Sequence, residues 1–123
     1  MKLQPIDALV IDDDPDAAES LASLLELNGY QVRFALSGTE ALALLQQYKP
    51  MCVLLDFNMP GMDGLEIAKS LKQRYGNDVI LIAVTGMDEG NERVSETFAL
   101  VDHYFIKPIS SSQFEKIFPP KED

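Results

Sequence analysis

The 123-residue chain has one cysteine, Cys52, one histidine, His103, and half as many basic residues as acidic ones, 10 against 20. A single cysteine excludes an internal disulfide, and its place in the apolar run MCVLLD marks Cys52 as a small core residue. One histidine among carboxylates makes neither a zinc site nor a serine-type triad, so His103 is expected to be structural or exposed. The shortage of bases leaves a net charge of -10. Nucleic-acid phosphates and anionic lipid surfaces repel such a chain, and no Lys/Arg cluster offsets this locally. Long hydrophobic runs are also missing. None approaches the roughly eighteen residues of a membrane span, and no secretory leader pattern opens the sequence. These absences point to one cytoplasmic domain that contacts neither nucleic acid nor membrane directly.

What is present is a regular alternation. Five short apolar runs cover Ile6 to Ile11, Gln31 to Ala35, Met51 to Leu55, Val79 to Val84 and His103 to Ile106. The first, third and fourth are nearly continuous rather than alternating, which suits strands covered on both faces in a parallel sheet. Helical spacing fills the gaps: Leu21, Leu24, Leu25 and Asn28; Ala41, Leu44, Leu45 and Tyr48; Leu65, Ile67, Ala68 and Leu71; and, more weakly, Val94, Phe98 and Val101. Helix starts are signalled by Asp14 before Pro15, by Ser37 to Glu40 and by Ser110 to Gln113. Gly29 and Gly76 are placed to end the first and third helices. Strand and helix alternating five times is an α/β protein with right-handed crossovers. The last helix is short and stops at Pro119-Pro120. The sequence thus reads as one domain over 1–118, with 119–123 a polar tail or the start of a linker.

Open parallel sheets build their sites beyond the carboxyl ends of the strands. That rule selects Asp12 and Asp13 after the first strand, Asp56 after the third, Thr85 after the fourth and Lys107 after the fifth. Carboxylates, a hydroxyl and an ammonium suit a hard divalent cation such as Mg2+, which takes one or two carboxylates and often a phosphoryl oxygen. Asp14 reads as a helix cap, and Asp63-Gly64 as a turn and helix start.

Taken together, these residues resemble the receiver domain of two-component response regulators. The resemblance runs from Ala8 to about Phe118. It rests on the acidic pair Asp12-Asp13 after a hydrophobic strand, on DFNMPGMDG from Asp56 to Gly64, on Thr85 after the fourth strand and on Lys107-Pro108 after the fifth. It implies a doubly wound five-stranded parallel sheet of flavodoxin-like order 2-1-3-4-5, with helices on both faces. It implies Asp56 as phosphoacceptor, with Lys107 and Thr85 completing the catalytic set. The metal is expected on Asp12, Asp13, Asp56 and the backbone carbonyl of Asn58, as Mg2+ with Mn2+ able to substitute. Thr85 and Tyr104 match the switch pair, and Asn58 with Met87 the positions that tune dephosphorylation. The implied donor is a phosphohistidine on a sensor histidine kinase or histidine phosphotransfer protein. The implied output is an attached domain or a receiver dimer. Such a domain catalyses its own phosphorylation and dephosphorylation but is primarily a signalling switch.

Gly86 stands where alanine is usual. Leu100-Val101 replaces the usual Gly-Ala before the fifth strand, which predicts altered packing there. Two other functions compete. One is a receiver-like interaction domain whose output is independent of phosphorylation. The other is a phosphatase of similar architecture, whose D-x-D after the first strand Asp12 and Asp14 satisfy formally. That reading leaves Asp56 and Asn58-Met59-Pro60 without a role. A flavin site lacks its Ser/Thr-rich phosphate loop.

Overall fold

The computed structural model describes residues 3–56, 64–85, 100–106, 112 and 115–116. Its elements run β1 (Gln4–Ile11), α1 (Pro15–Leu27), β2 (Val32–Ala35), α2 (Gly38–Leu44), β3 (Tyr48–Asp56), α3 (Gly64–Tyr75), a 3-10 turn (Gly76–Asp78), β4 (Ile80–Thr85) and β5 (His103–Ile106). All pairings are parallel and the strand order is β2-β1-β3-β4-β5. This is the expected doubly wound sheet. None of the described helices is long and apolar enough to cross a membrane.

The continuous apolar runs have a direct cause. Neighbouring residues of one strand enter two different cores. Ala8, Val10, Cys52 and Leu54 pack on the face covered by Ala18, Ala22 and Leu25 of α1. Leu9, Ile11, Val53 and Leu55 pack on the opposite face, against Ala41 of α2 and Ile67, Ala68 and Leu71 of α3. A strand with helices on both sides has no solvent face for polar residues to occupy.

Helix α1 begins as its sequence predicts. Asp14 is the N-cap and its side chain accepts the Asp16 N–H, with Pro15 in the first turn. At the far end, Gly29 adopts φ 91 and donates its N–H to Glu26 O at 3.0 Å. Only a residue without a Cβ takes that left-handed turn cheaply. Asn28, which shares the spacing of the leucines, is a cap rather than a core residue, and its Nδ2 donates to Leu24 O at 2.9 Å.

At α2 the capping box forms with one leg displaced. Ser37 Oγ accepts the Glu40 N–H at 3.1 Å, but Glu40 Oε1 reaches the N–H of Leu36, not Ser37, at 3.4 Å. Tyr48 also departs from its helical spacing, since it opens β3 opposite Gln4. Pro50 explains this. Proline cannot extend a helix and biases the residue before it toward extended backbone. The freed Tyr48 ring lies under the Arg33 guanidinium of β2, 5.1 Å from its centroid.

Leu100 and Val101 are partly buried against the α2/α3 core, so this pair fills space where small residues were expected. The expected helical stretches from Val94 to Phe98 and from Ser110 to Phe118 fall mostly outside the described residues.

Candidate functional site

Register brings the acidic residues together. Ile11 of β1 pairs with Leu55 of β3, so the next residues, Asp12 and Asp56, leave adjacent strands side by side. Both continue the alternation of Val10 and Leu54 at the carboxyl edge of the sheet. Asp13 follows on the short connection to α1. One carboxylate oxygen from each of Asp12, Asp13 and Asp56 lies within 4.8 Å of the others.

The three acids differ in exposure. Asp12 is 5% and Asp56 4% accessible, whereas Asp13 is exposed. Two unit charges about 4–5 Å apart repel by roughly 3–4 kcal/mol at an effective dielectric of about 20. A strand end that gathers three such groups calls for positive charge.

The donor set decides which cation fits. It is oxygen-only, and the soft ligands are elsewhere. Cys52 is wholly buried within β3, and burial, reinforced by Asp102, pushes its thiol far above the ordinary range, so it stays protonated. His103 is exposed at the start of β5. Three carboxylates at one sheet edge suit Mg2+ and do not suit zinc.

Asp14 stands apart from this cluster. Its carboxylate accepts the Asp16 N–H at 3.0 Å, while its own N–H donates to Asp12 Oδ1 at 3.0 Å. The formal D-x-D pair of Asp12 and Asp14 is therefore one clustered acid and one helix cap. Thr85 and Tyr104, expected from sequence as a switch pair, lie on β4 and β5. Thr85 closes β4 opposite Ile106, and half-buried Tyr104 sits opposite Ala83. Asn58, Asp63, Met87 and Lys107 fall outside the described residues.

Two other aspartates serve the sheet, and neither was singled out from sequence. Asp7 donates its N–H to Gln31 O at 2.9 Å, and its Oδ2 accepts the Gln31 N–H at 2.7 Å. Asp102 does the same with Leu81, its N–H reaching Leu81 O at 2.7 Å and its Oδ2 accepting the Leu81 N–H at 2.8 Å. Each pair stands one step before the first register pair of an edge strand, Ala8 with Val32 and Ile82 with His103. Asp102 also meets Lys72 Nζ of α3 at 3.3 Å. The available signal for Asp7 was a charge inside an otherwise apolar strand.

The sequence profile of the response regulator receiver domain matches residues 8–118. The response regulator MprA of Mycobacterium sp. (strain KMS) is 41% identical over 106 residues, which cover 86% of this chain and 46% of that protein. The chain thus spans about half the length of the curated relatives it matches. Among solved structures, the signal receiver domain of a DNA-binding response regulator from Colwellia psychrerythraea 34H superposes with TM-score 0.80 at 34% identity, covering 91% of this chain and 94% of that one. The response regulator TrrA from Thermotoga maritima, in complex with Mg(2+)-BeF, superposes with TM-score 0.76 at 29% identity, covering 94% and 96%. Sequence profile, strand order and clustered aspartates agree: the chain belongs to the response regulator receiver domains, signalling modules that take up a phosphoryl group on an aspartate.

Proposed function

We propose that Asp56 is the phosphoacceptor, and that Asp12 and Asp13 hold Mg2+ beside it. The observation that carries this reading is the meeting of one oxygen from each of the three carboxylates at the carboxyl edge of the sheet. A carboxylate oxygen of Asp56 attacks the phosphorus of a phosphohistidine. The new O–P bond forms as the N–P bond breaks, giving an aspartyl phosphate and a histidine that takes up a proton. Phosphoryl transfer of this kind needs alignment and charge neutralisation more than covalent chemistry from the protein. When bound, Mg2+ supplies neutralising charge for the carboxylates and the equatorial phosphoryl oxygens.

Asp12 and Asp13 serve as metal ligands with Asp56 and the carbonyl of Asn58. Lys107 pairs with the phosphoryl group, and Thr85 donates a hydrogen bond to it. Water attacking the same acyl phosphate resets the switch, at a rate tuned by Asn58 and Met87. Mn2+, which accepts the same oxygen donors, substitutes for Mg2+. That the related TrrA was captured with Mg(2+)-BeF, whose fluorides imitate phosphoryl oxygens, supports the same ligand chemistry here.

Signalling follows as a shift between two populations. Thr85 turns to the phosphoryl group and Tyr104 packs into the space it leaves. The donor is a histidine kinase or histidine phosphotransfer protein in the cytoplasm. The receiver unit ends near residue 118, with 119–123 a polar tail or the start of a linker. Its output passes to an attached domain or a second receiver.

The test is incubation with Mg2+ and a small phosphodonor, read by intact mass. The chain should gain one phosphoryl group, and Asp56→Asn should gain none. An unmodified chain under conditions that label another receiver would instead favour an interaction domain independent of phosphorylation.

A further inference from the structure

A metal ligand works only if its oxygen is aimed, and the groups that hold ligands in place contribute strongly to affinity. Two contacts among the described residues help to hold Asp12. Its N–H donates to Ala35 O of β2 at 3.1 Å, and its Oδ1 accepts the Asp14 N–H at 3.0 Å. The second contact is only as firm as the backbone of Asp14. That backbone is the N-cap of α1, with φ -88 and ψ 113; its carbonyl accepts the Ala18 N–H at 2.9 Å, and Asp14's own carboxylate adds a second hold by accepting the Asp16 N–H.

Two links therefore run in series. The α1 amide at Asp16 holds the Asp14 side chain, and the Asp14 amide holds the Asp12 side chain. The Asp14 carboxylate is exposed and stands outside the three-acid cluster. Its reach to the metal site runs through the direction of its amide rather than through its charge.

We propose that Asp14 is a positioning residue for the metal site: by capping α1 it fixes the amide that aims Asp12. The proposal rests on the Mg2+ reading of the cluster. It separates Asp14 from an ordinary cap, which affects stability alone, and from a remote negative charge, which attracts the cation without aiming anything.

Three substitutions distinguish these roles. Asn and Ser keep an N-cap acceptor but remove the charge, and Ala removes both. Calorimetric titration of the whole chain with Mg2+ gives the dissociation constant, and thermal melts run in parallel report the cap. Loss of a group that holds a metal ligand typically costs about ten- to a hundredfold in affinity. Here the donor amide is loosened rather than deleted, so Asp14→Ala should bind Mg2+ about three- to tenfold more weakly. Asp14→Asn and Asp14→Ser should match the unaltered chain within about twofold, because both retain the cap.

Equal weakening in all three variants would overturn the proposal in favour of charge. Unchanged affinity in all three, with only the Asp14→Ala melt lowered, would overturn it in favour of simple capping. Absence of Mg2+ binding by the unaltered chain would remove the metal reading itself, and the positioning role with it.

Discussion

The two ends of the sheet use the same residue for opposite purposes. At the carboxyl end, one carboxylate oxygen from each of Asp12, Asp13 and Asp56 lies within 4.8 Å of the others. At the amino end, Asp7 and Asp102 turn theirs to the backbone amides of Gln31 and Leu81. A carboxylate facing an amide is a satisfied acceptor that fixes strand register. Carboxylates facing one another store repulsion that a cation or a phosphoryl transfer can relieve. The amino end is built for stability and the carboxyl end for chemistry, as expected where function is placed on a rigid scaffold.

Substitutions at the two ends should therefore separate cleanly. The largest effect is expected for Asp13→Ala, which removes a proposed ligand. It should abolish measurable Mg2+ binding in calorimetry and suppress phosphorylation. In metal-free buffer the same change should leave stability unaltered or raise it by up to about 1 kcal/mol, because it relieves like-charge repulsion. Asp7→Ala should do the reverse. It strands the Gln31 amide and should lower stability by about 1–3 kcal/mol in urea melts. Its Mg2+ affinity should be unchanged. A loss of affinity in Asp7→Ala comparable to that in Asp13→Ala would erase the distinction between the ends.

Cys52, in the dry middle of the sheet, sharpens the comparison through pH. Its thiol is pushed up in the folded chain by burial, so the unfolded chain loses the proton first as pH rises. Folded protein then binds more protons than unfolded, and stability falls with rising pH. The loss should begin near pH 9, where the unperturbed thiol titrates. It should reach about 1.4 kcal/mol per pH unit above that point. Comparing urea melts of the unaltered chain and Cys52→Ala at successive pH values isolates it, since the variant should lack this slope. The smallest effect is expected at the Lys72–Asp102 pair, whose Asp102 side chain is 40% exposed. Lys72→Met should change stability by less than about 1 kcal/mol, because solvent screens the pair and Asp102 keeps its hold on Leu81.

Legibility in the sequence follows the same division. Asp12, Asp13 and Asp56 could be read because each follows an apolar strand, and open parallel sheets place their sites there. The double-faced runs, the Asp14 cap and the Gly29 terminus were local signals, and the fold reproduces them. The amino-end clamps were not legible, because they join residues from different strands through side chain to backbone. Asp7 lies inside the apolar run from Ile6 to Ile11, where no local pattern marks a contact with another strand. Tyr48 shows a competing local rule. Its spacing from Ala41, Leu44 and Leu45 was helical, yet Pro50 and the Arg33 guanidinium committed it to β3. Asn28 repeated the lesson at α1, where helical spacing continued one residue past the helix into its cap.

The most direct test of the account locates the phosphoryl group. The chain is treated with a small phosphodonor with Mg2+ or with a chelator, the acyl phosphate is trapped by borohydride reduction, and peptides are mapped by mass. Conversion is expected at Asp56 alone, and only with Mg2+. Modification at Asp12 or Asp13, or modification that persists in chelator, would contradict it.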